Sequence, residues 1–124
     1  MKLILAIGLG GALGAVSRHY FAAAVMRLFG GQFPFGIMIT NILGSFLMGV
    51  LISVLAGKFS LSSEWRHFIT VGFLGAFTTF STFSMEAVML LERGALWTAA
   101  LYIVGSVVLA IIGLILGMQI GKIL

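Results

Sequence analysis

The sequence predicts an all-α integral membrane protein with four transmembrane helices, the third of them broken, on three observations. Hydrophobic residues make up 61% of the 124-residue chain and charged residues 8%, where a soluble domain carries about 25% charged. Mean hydropathy is +1.25. The apolar residues fall into four runs, approximately 3–26, 36–57, 65–91 and 96–121, each near or above the roughly 20 residues that a bilayer requires. The third run is interrupted within residues 72–86, where Gly weakens a helix and Ser and Thr side chains compete for backbone groups. Polar atoms there must face protein or water, because lipid offers them no partner. The chain is read as one membrane domain, residues 1–124.

The first run follows Met1-Lys2, and Ala12-Leu13-Gly14 has the form of a small-x-small cleavage site. Three later runs supply targeting of their own, so this run is read as a span. Gly10 with Gly14, and Gly11 with Ala15, are small-xxx-small pairs that suit close helix packing. Arg18 lies sixteen residues after Lys2, ~24 Å along a helix. It either snorkels to the far interface or lines a water-filled vestibule. His19 is expected at an interface.

The second run carries Asn41, Ser45 and Gly49 at four-residue spacing, a polar and small stripe on an apolar helix. The Asn41 amide either bonds another helix or faces a pore. Residues 58–63 form a short link, with Ser63 as expected N-cap and Glu64 in the first helical turn. The third run exceeds the length a span needs, which suggests an interrupted helix of the kind found in transporters. The fourth carries Tyr102, Ser106 and Ala110 on one face, and Gly113, Gly117 and Gly121 as a packing seam.

The formal net charge is +4, but Lys2, Arg18, Arg27, Lys58, Arg66, Arg93 and Lys122 are dispersed, mostly at segment ends. They read as membrane-flanking cations rather than a nucleic-acid surface. Four spans put both ends of the domain on one side, with Lys2, Lys58, Arg66 and Lys122 facing Arg27 and Arg93 across the membrane. So small a bias permits insertion both ways, and hence an antiparallel dimer. A chain this short has little interior, so a pathway across the bilayer calls for a second copy.

Enzyme chemistry is excluded on inventory. Cys is absent, and the two His and three acidic residues lack metal-ligand spacing. Neither His is placed to activate a Ser, and no carboxylate pair is present. Transport fits better. Phe77, Phe80 and Phe83 recur every three residues and Glu86 continues the row, so Phe80 and Phe83 can share a helix face. Their ring edges are electropositive and can meet an anion while Asn41, Ser81 or Thr82 donates hydrogen bonds. With no Lys or Arg at the narrowest point, the ion is free to leave. A break over residues 75–79 frees backbone carbonyls, which suit a hard cation. The same Phe row would also serve as plain packing.

At these residues the chain resembles the CrcB/Fluc family of small fluoride channels. The likeness rests on Gly10-Gly11-Ala12-Leu13-Gly14-Ala15-Val16-Ser17-Arg18, on Asn41-x-x-Gly44-Ser45-Phe46, and on Gly72-Phe73-Leu74-Gly75-Ala76-Phe77-Thr78-Thr79-Phe80-Ser81-Thr82-Phe83-Ser84-x-Glu86. The last is highly specific. The resemblance implies a dual-topology antiparallel homodimer in the cell (plasma or inner) membrane, with two fluoride pores and a structural sodium ion at its centre. It implies that Gly75 and Thr78 supply carbonyls to sodium, that Phe80, Phe83 and Asn41 line the pore, and that Ser81 and Thr82 are nearby donors. Tyr102, Ser106 and Glu86 correspond to a polar track. Two positions depart from the pattern: Ile37 stands where many members have Thr, and Ala110 where some have Ser. The implied activity is passive export of fluoride. A second reading is a proton-coupled small multidrug-type exporter, which would need Glu86 in place of the first-span carboxylate that family uses. A third is a non-transporting membrane scaffold, which leaves the Phe and hydroxyl run without a purpose.

Overall fold

A computed structural model of the chain describes residues 1–57 and 59–124. Lys58, counted above among the flanking cations, lies outside the described residues. Helix α1 (Lys2–Phe29) is followed by α2 (Phe35–Gly57), a short α3 (Ser63–His67), a π-helical segment (Phe68–Leu74), one further turn α4 (Gly75–Phe77), α5 (Phe80–Glu92) and α6 (Leu96–Ile123). No strand occurs among the described residues. Four helical units, Lys2–Phe29, Phe35–Gly57, Ser63–Glu92 and Leu96–Ile123, are long and apolar enough to cross a membrane. The chain is a multi-pass membrane protein.

Local chemistry explains the helix ends. α1 stops at Gly30, whose φ of 64° suits Gly, and Pro34 stands immediately before α2. At the end of α5, Gly94 has φ 77°. Its N–H reaches the Leu91 carbonyl at 3.0 Å and the Ala95 N–H reaches that of Leu90 at 3.0 Å, the paired bonds of a Schellman turn. The N-cap of α3 is Ser62 rather than the expected Ser63. Ser62 has extended backbone and its hydroxyl accepts from the Trp65 N–H. Two adjacent serines leave the choice to backbone geometry, which the sequence pattern does not resolve.

α2 is the central element. It packs along α6 and against α1, the π segment, α4 and α5. The α2–α6 seam is built on absent side chains: a Cβ at Gly49 would strike the Leu114 carbonyl oxygen, and one at Gly117 that of Phe46. The small-residue pair in α1 divides. Gly10 and Gly14 lie against the backbone of Phe68 and Phe73 in the π segment, whereas a Cβ at Gly11 would meet nothing within the described residues. Ile37, Phe83, Ala87, Leu90, Ala99 and Tyr102 form a core cluster joining α2, α5 and α6. Outside it, large apolar residues such as Leu9, Leu13, Leu101 and Ile111 are exposed, as expected where the solvent is lipid or a second protein.

The third unit is broken at the C-terminal end of the expected residues 75–79. Residues 68–77 remain helical, first wide and then tight, and the chain opens only at Thr78 (φ −85°, ψ 156°) and Thr79 (φ −151°, ψ 121°). The glycines therefore serve approach to α1 rather than interruption. Two successive β-branched threonines carry the extended step, which their restricted χ1 favours. The break also separates Phe77 from the phenylalanine row: it is buried against Phe73 and Phe21, at ring-centroid distances of 5.9 and 5.7 Å.

Substituting Gly117→Val should wedge α2 from α6 and cost about 1–3 kcal/mol. Thermal unfolding of the detergent-solubilised protein would read this as a lowered melting temperature, and an unchanged value would remove Gly117 from the seam.

Candidate functional site

A helix broken inside a membrane leaves N–H and C=O groups that must find partners. At Thr79 both come from one side chain. The Asn41 Nδ2 donates to the Thr79 carbonyl at 3.0 Å, and the Thr79 N–H donates to Asn41 Oδ1 at 2.8 Å. A side-chain amide offers one donor and one acceptor at the spacing of a backbone neighbour, so α2 completes the third unit as a ladder partner would. The Thr79 N–H, which a continuous helix would give to the Gly75 carbonyl, is thereby diverted.

The two flanks of the break are capped separately. On the N-terminal flank, Arg18 Nη1 donates to the Ala76 carbonyl at 2.8 Å. Through this bond Arg18 is tied to the third unit. It meets the carbonyl end of a helical segment, where a cation is favoured. On the other flank, Thr79 is the N-cap of α5: its hydroxyl accepts from the Thr82 N–H at 3.2 Å and donates to Thr82 Oγ1 at 3.2 Å. Ser81 Oγ lies 3.3 Å from the same hydroxyl. Ser81 and Thr82 thus work as part of the cap.

Beyond the break, α5 presents Phe80 and Phe83 on one face, with ring centroids 5.5 Å apart and planes at 46°. Phe80 is 76% exposed and Phe83 7%. A groove of about 220 Å³ runs past Asn41, Ser45, Thr79, Phe80, Phe83 and Ser106, and among the described residues no ionisable side chain lines it. Ser106 is 5% exposed and its hydroxyl has no hydrogen-bond partner among the described residues. A buried unpaired hydroxyl is costly, so it marks a place for a hydrogen-bonding ligand or water. Asn41 also has a second amide hydrogen beyond the one given to Thr79. The groove therefore combines amide and hydroxyl donors with aromatic edges, without full charges, an arrangement suited to a small anion.

Phe83 links the groove to Tyr102, with ring centroids 5.2 Å apart. Tyr102 is wholly buried and its hydroxyl donates to Glu86 Oε1 at 2.7 Å. Glu86 and Thr82 border a second cavity of about 470 Å³, next to His19, Gln32 and Arg93. Ile37 is packed in the core with Phe83 and Tyr102 and also borders this cavity, while Ala110 lines the first groove. Both departures from the family pattern thus sit on cavity walls, each presenting alkyl surface there.

The structure brings Asn41, Thr79, Phe80, Phe83 and Ser106 to one groove, and Tyr102, Glu86 and Thr82 to its flank. Arg18 and Gly75 stand apart from it. Thr79 was not singled out in the sequence, although it makes more of the break's bonds than any neighbour. Its signal is a Thr immediately before Phe80, the first apolar residue of the helix, which is an N-cap pattern. Gly44 also has a role: a Cβ there would collide with the Thr78 methyl, so α2 can reach the break only because that position is Gly.

The fold and site define a four-span membrane protein with a side-chain-clamped break in its third helix and an uncharged polar groove beside it. The family model described as CrcB-like protein, Camphor Resistance (CrcB), matches residues 5–118. A protein of Agrobacterium fabrum named fluoride-specific ion channel FluC is 45% identical over 119 residues, covering 96% of this chain and 95% of its own. One of Cereibacter sphaeroides with the same name is 51% identical over 115 residues, covering 93% and 90%. A third, from Shewanella halifaxensis, is 47% identical over 120 residues, covering 96% and 95%. The chain belongs to the CrcB family.

Replacing Asn41 by Ala should leave the Thr79 N–H and C=O unpaired, at about 1–3 kcal/mol for each group. Amide hydrogen exchange at Thr79 should then quicken by an order of magnitude or more. Exchange as slow as in the parent would mean that the amide clamp does not hold the break.

Proposed function

We propose that this chain forms a fluoride-selective channel through which cytoplasmic fluoride leaves the cell passively. The observation that carries the reading is the uncharged groove in which Asn41, the unpaired Ser106 hydroxyl and the edges of Phe80 and Phe83 converge. Fluoride is small and strongly hydrated, so it gives up water only where hydrogen-bond donors replace it. Amide and hydroxyl donors do so without the grip of a fixed positive charge, which would slow release. The names of the relatives, fluoride-specific ion channels, agree with this chemistry. The Tyr102–Glu86 pair beside Phe83 continues the polar lining past the aromatic wall.

The functional unit is an antiparallel homodimer with two pores, in the plasma or inner membrane. A single chain leaves Phe80 largely uncovered while Phe83 is buried beside it, so a second copy would complete the wall. A structural sodium ion at the dimer centre fits the same break. Diversion of the Thr79 N–H to Asn41 releases the Gly75 carbonyl; Gly75 is exposed in the single chain, and Thr78 is half-buried with its methyl against Gly44. Among the described residues no group of His, Cys, Asp or Glu could hold a metal, so backbone carbonyls are the available donors, and they suit a hard monovalent cation. Gly75 and Thr78 from each copy would hold it, and it would join the two broken helices and offset anion repulsion.

Purified protein in liposomes should release fluoride down its gradient, retain chloride, and need no proton gradient. Retained fluoride in well-inserted protein would refute the channel. Phe80→Ile should lower fluoride flux on the order of tenfold, equivalent to ~1.4 kcal/mol in the barrier, while cross-linking still detects the dimer. Dimer loss in that variant would instead make Phe80 a packing residue. Reporter fusions at each terminus should be active on both sides of the membrane if the chain inserts both ways.

A further inference from the structure

We propose that Arg93 is an anion-collecting residue at the rim of the 470 Å³ cavity, and that Gln32 positions it. The inference rests on the channel reading and extends it to the approach to the pore. The cavity is bordered by His19 from α1, Gln32 from the first connection, Thr82 and Glu86 from α5, and Arg93 immediately after α5. Among the described residues Arg93 is the only arginine or lysine on its wall and Glu86 the only carboxylate. An anion entering here therefore meets the Glu86 carboxylate, which accepts from the Tyr102 hydroxyl. Only Arg93 provides a full positive charge that offsets it at every working pH.

The placement of Arg93 follows from the local fold. The Schellman turn at Gly94 ends α5 and holds its C-cap, Arg93, in helical geometry. Its Nη1 donates to Gln32 Oε1 at 3.4 Å, a neutral partner that orients the guanidinium and leaves its charge in place. Gln32 follows the left-handed pair Gly30 and Gly31, so the turn that ends α1 delivers it to the same rim. The cavity adjoins the groove across one layer of side chains: Thr82 borders the cavity and bonds Thr79, which lines the groove, and Ile37 on the cavity wall packs with Phe83. A charge at that rim raises the local anion concentration without binding the ion at the constriction.

The test compares fluoride efflux from liposomes at about 0.01 M and about 1 M of a symmetric impermeant salt, where the Debye length falls from ~30 to ~3 Å. Fluoride is kept below saturation. Arg93→Gln should lower the efflux rate about two- to three-fold at low salt, the Coulomb effect of one charge about 10 Å away in water, and match the parent at high salt. Arg93→Lys should retain the parental rate at low salt, and Gln32→Ala should fall between. Equal loss at both salt concentrations would make Arg93 structural, and no loss at either would remove it from the path; each overturns the proposal. Failure of the underlying reading is distinct, because the unsubstituted protein would itself release no fluoride.

Discussion

The two hydrogen bonds between the Asn41 amide and the Thr79 backbone are the constraint on which the rest of the structure depends. In a bilayer an interrupted helix has no water to satisfy its open groups, and Asn41 supplies both missing partners from a neighbouring helix. The consequence reaches in two directions. The Gly75 carbonyl loses its helical donor, and α5 starts anew with Phe80 in its first turn, aimed along a different axis from Phe77. The break is thus held open by packing of α2 rather than by flexibility of the glycines.

That clamp requires close approach, and close approach requires small residues. Gly44 on α2 faces the Thr78 methyl, and Gly10, Gly14 and Gly72 let α1 meet the π segment backbone to backbone. Between these contacts Arg18 reaches the Ala76 carbonyl. A charge inside a span is expensive unless it finds oxygen, and the carbonyl end of α4 provides it. The glycine seams and the half-buried arginine are therefore parts of one arrangement. The first fixes the distance between helices, and the second terminates the helix that the distance allows.

The groove follows from the same geometry. Because α5 begins at the break, its first two turns carry Phe80 and Phe83 past Asn41 and toward Ser106 on α6. Tyr102, one turn before Ser106, reaches back to Glu86 on α5, so α5 and α6 are joined by a polar contact beside an otherwise apolar core. Donors without full charge line the groove, whereas Glu86 and Arg93 stand at the second cavity. Among the described residues, ionisable side chains thus line the second cavity and not the groove.

Much of this was legible in the sequence. Four apolar runs, the Asn41–Ser45 and Tyr102–Ser106 stripes and the Phe80–Phe83 spacing depend only on helical periodicity, which is local. The tertiary structure decided what no local rule contains. It placed the break at Thr78 and Thr79 rather than at the glycines, because the interruption forms where Asn41 can satisfy it. It separated Phe77 from Phe80, although equal spacing had put them in one row, because periodicity holds only within an unbroken helix. It gave Arg18 an internal carbonyl, a partner 58 positions away. Composition and period determine which residues can share a helix face; only the packing of one helix on another determines which backbone groups remain for a side chain or an ion to claim.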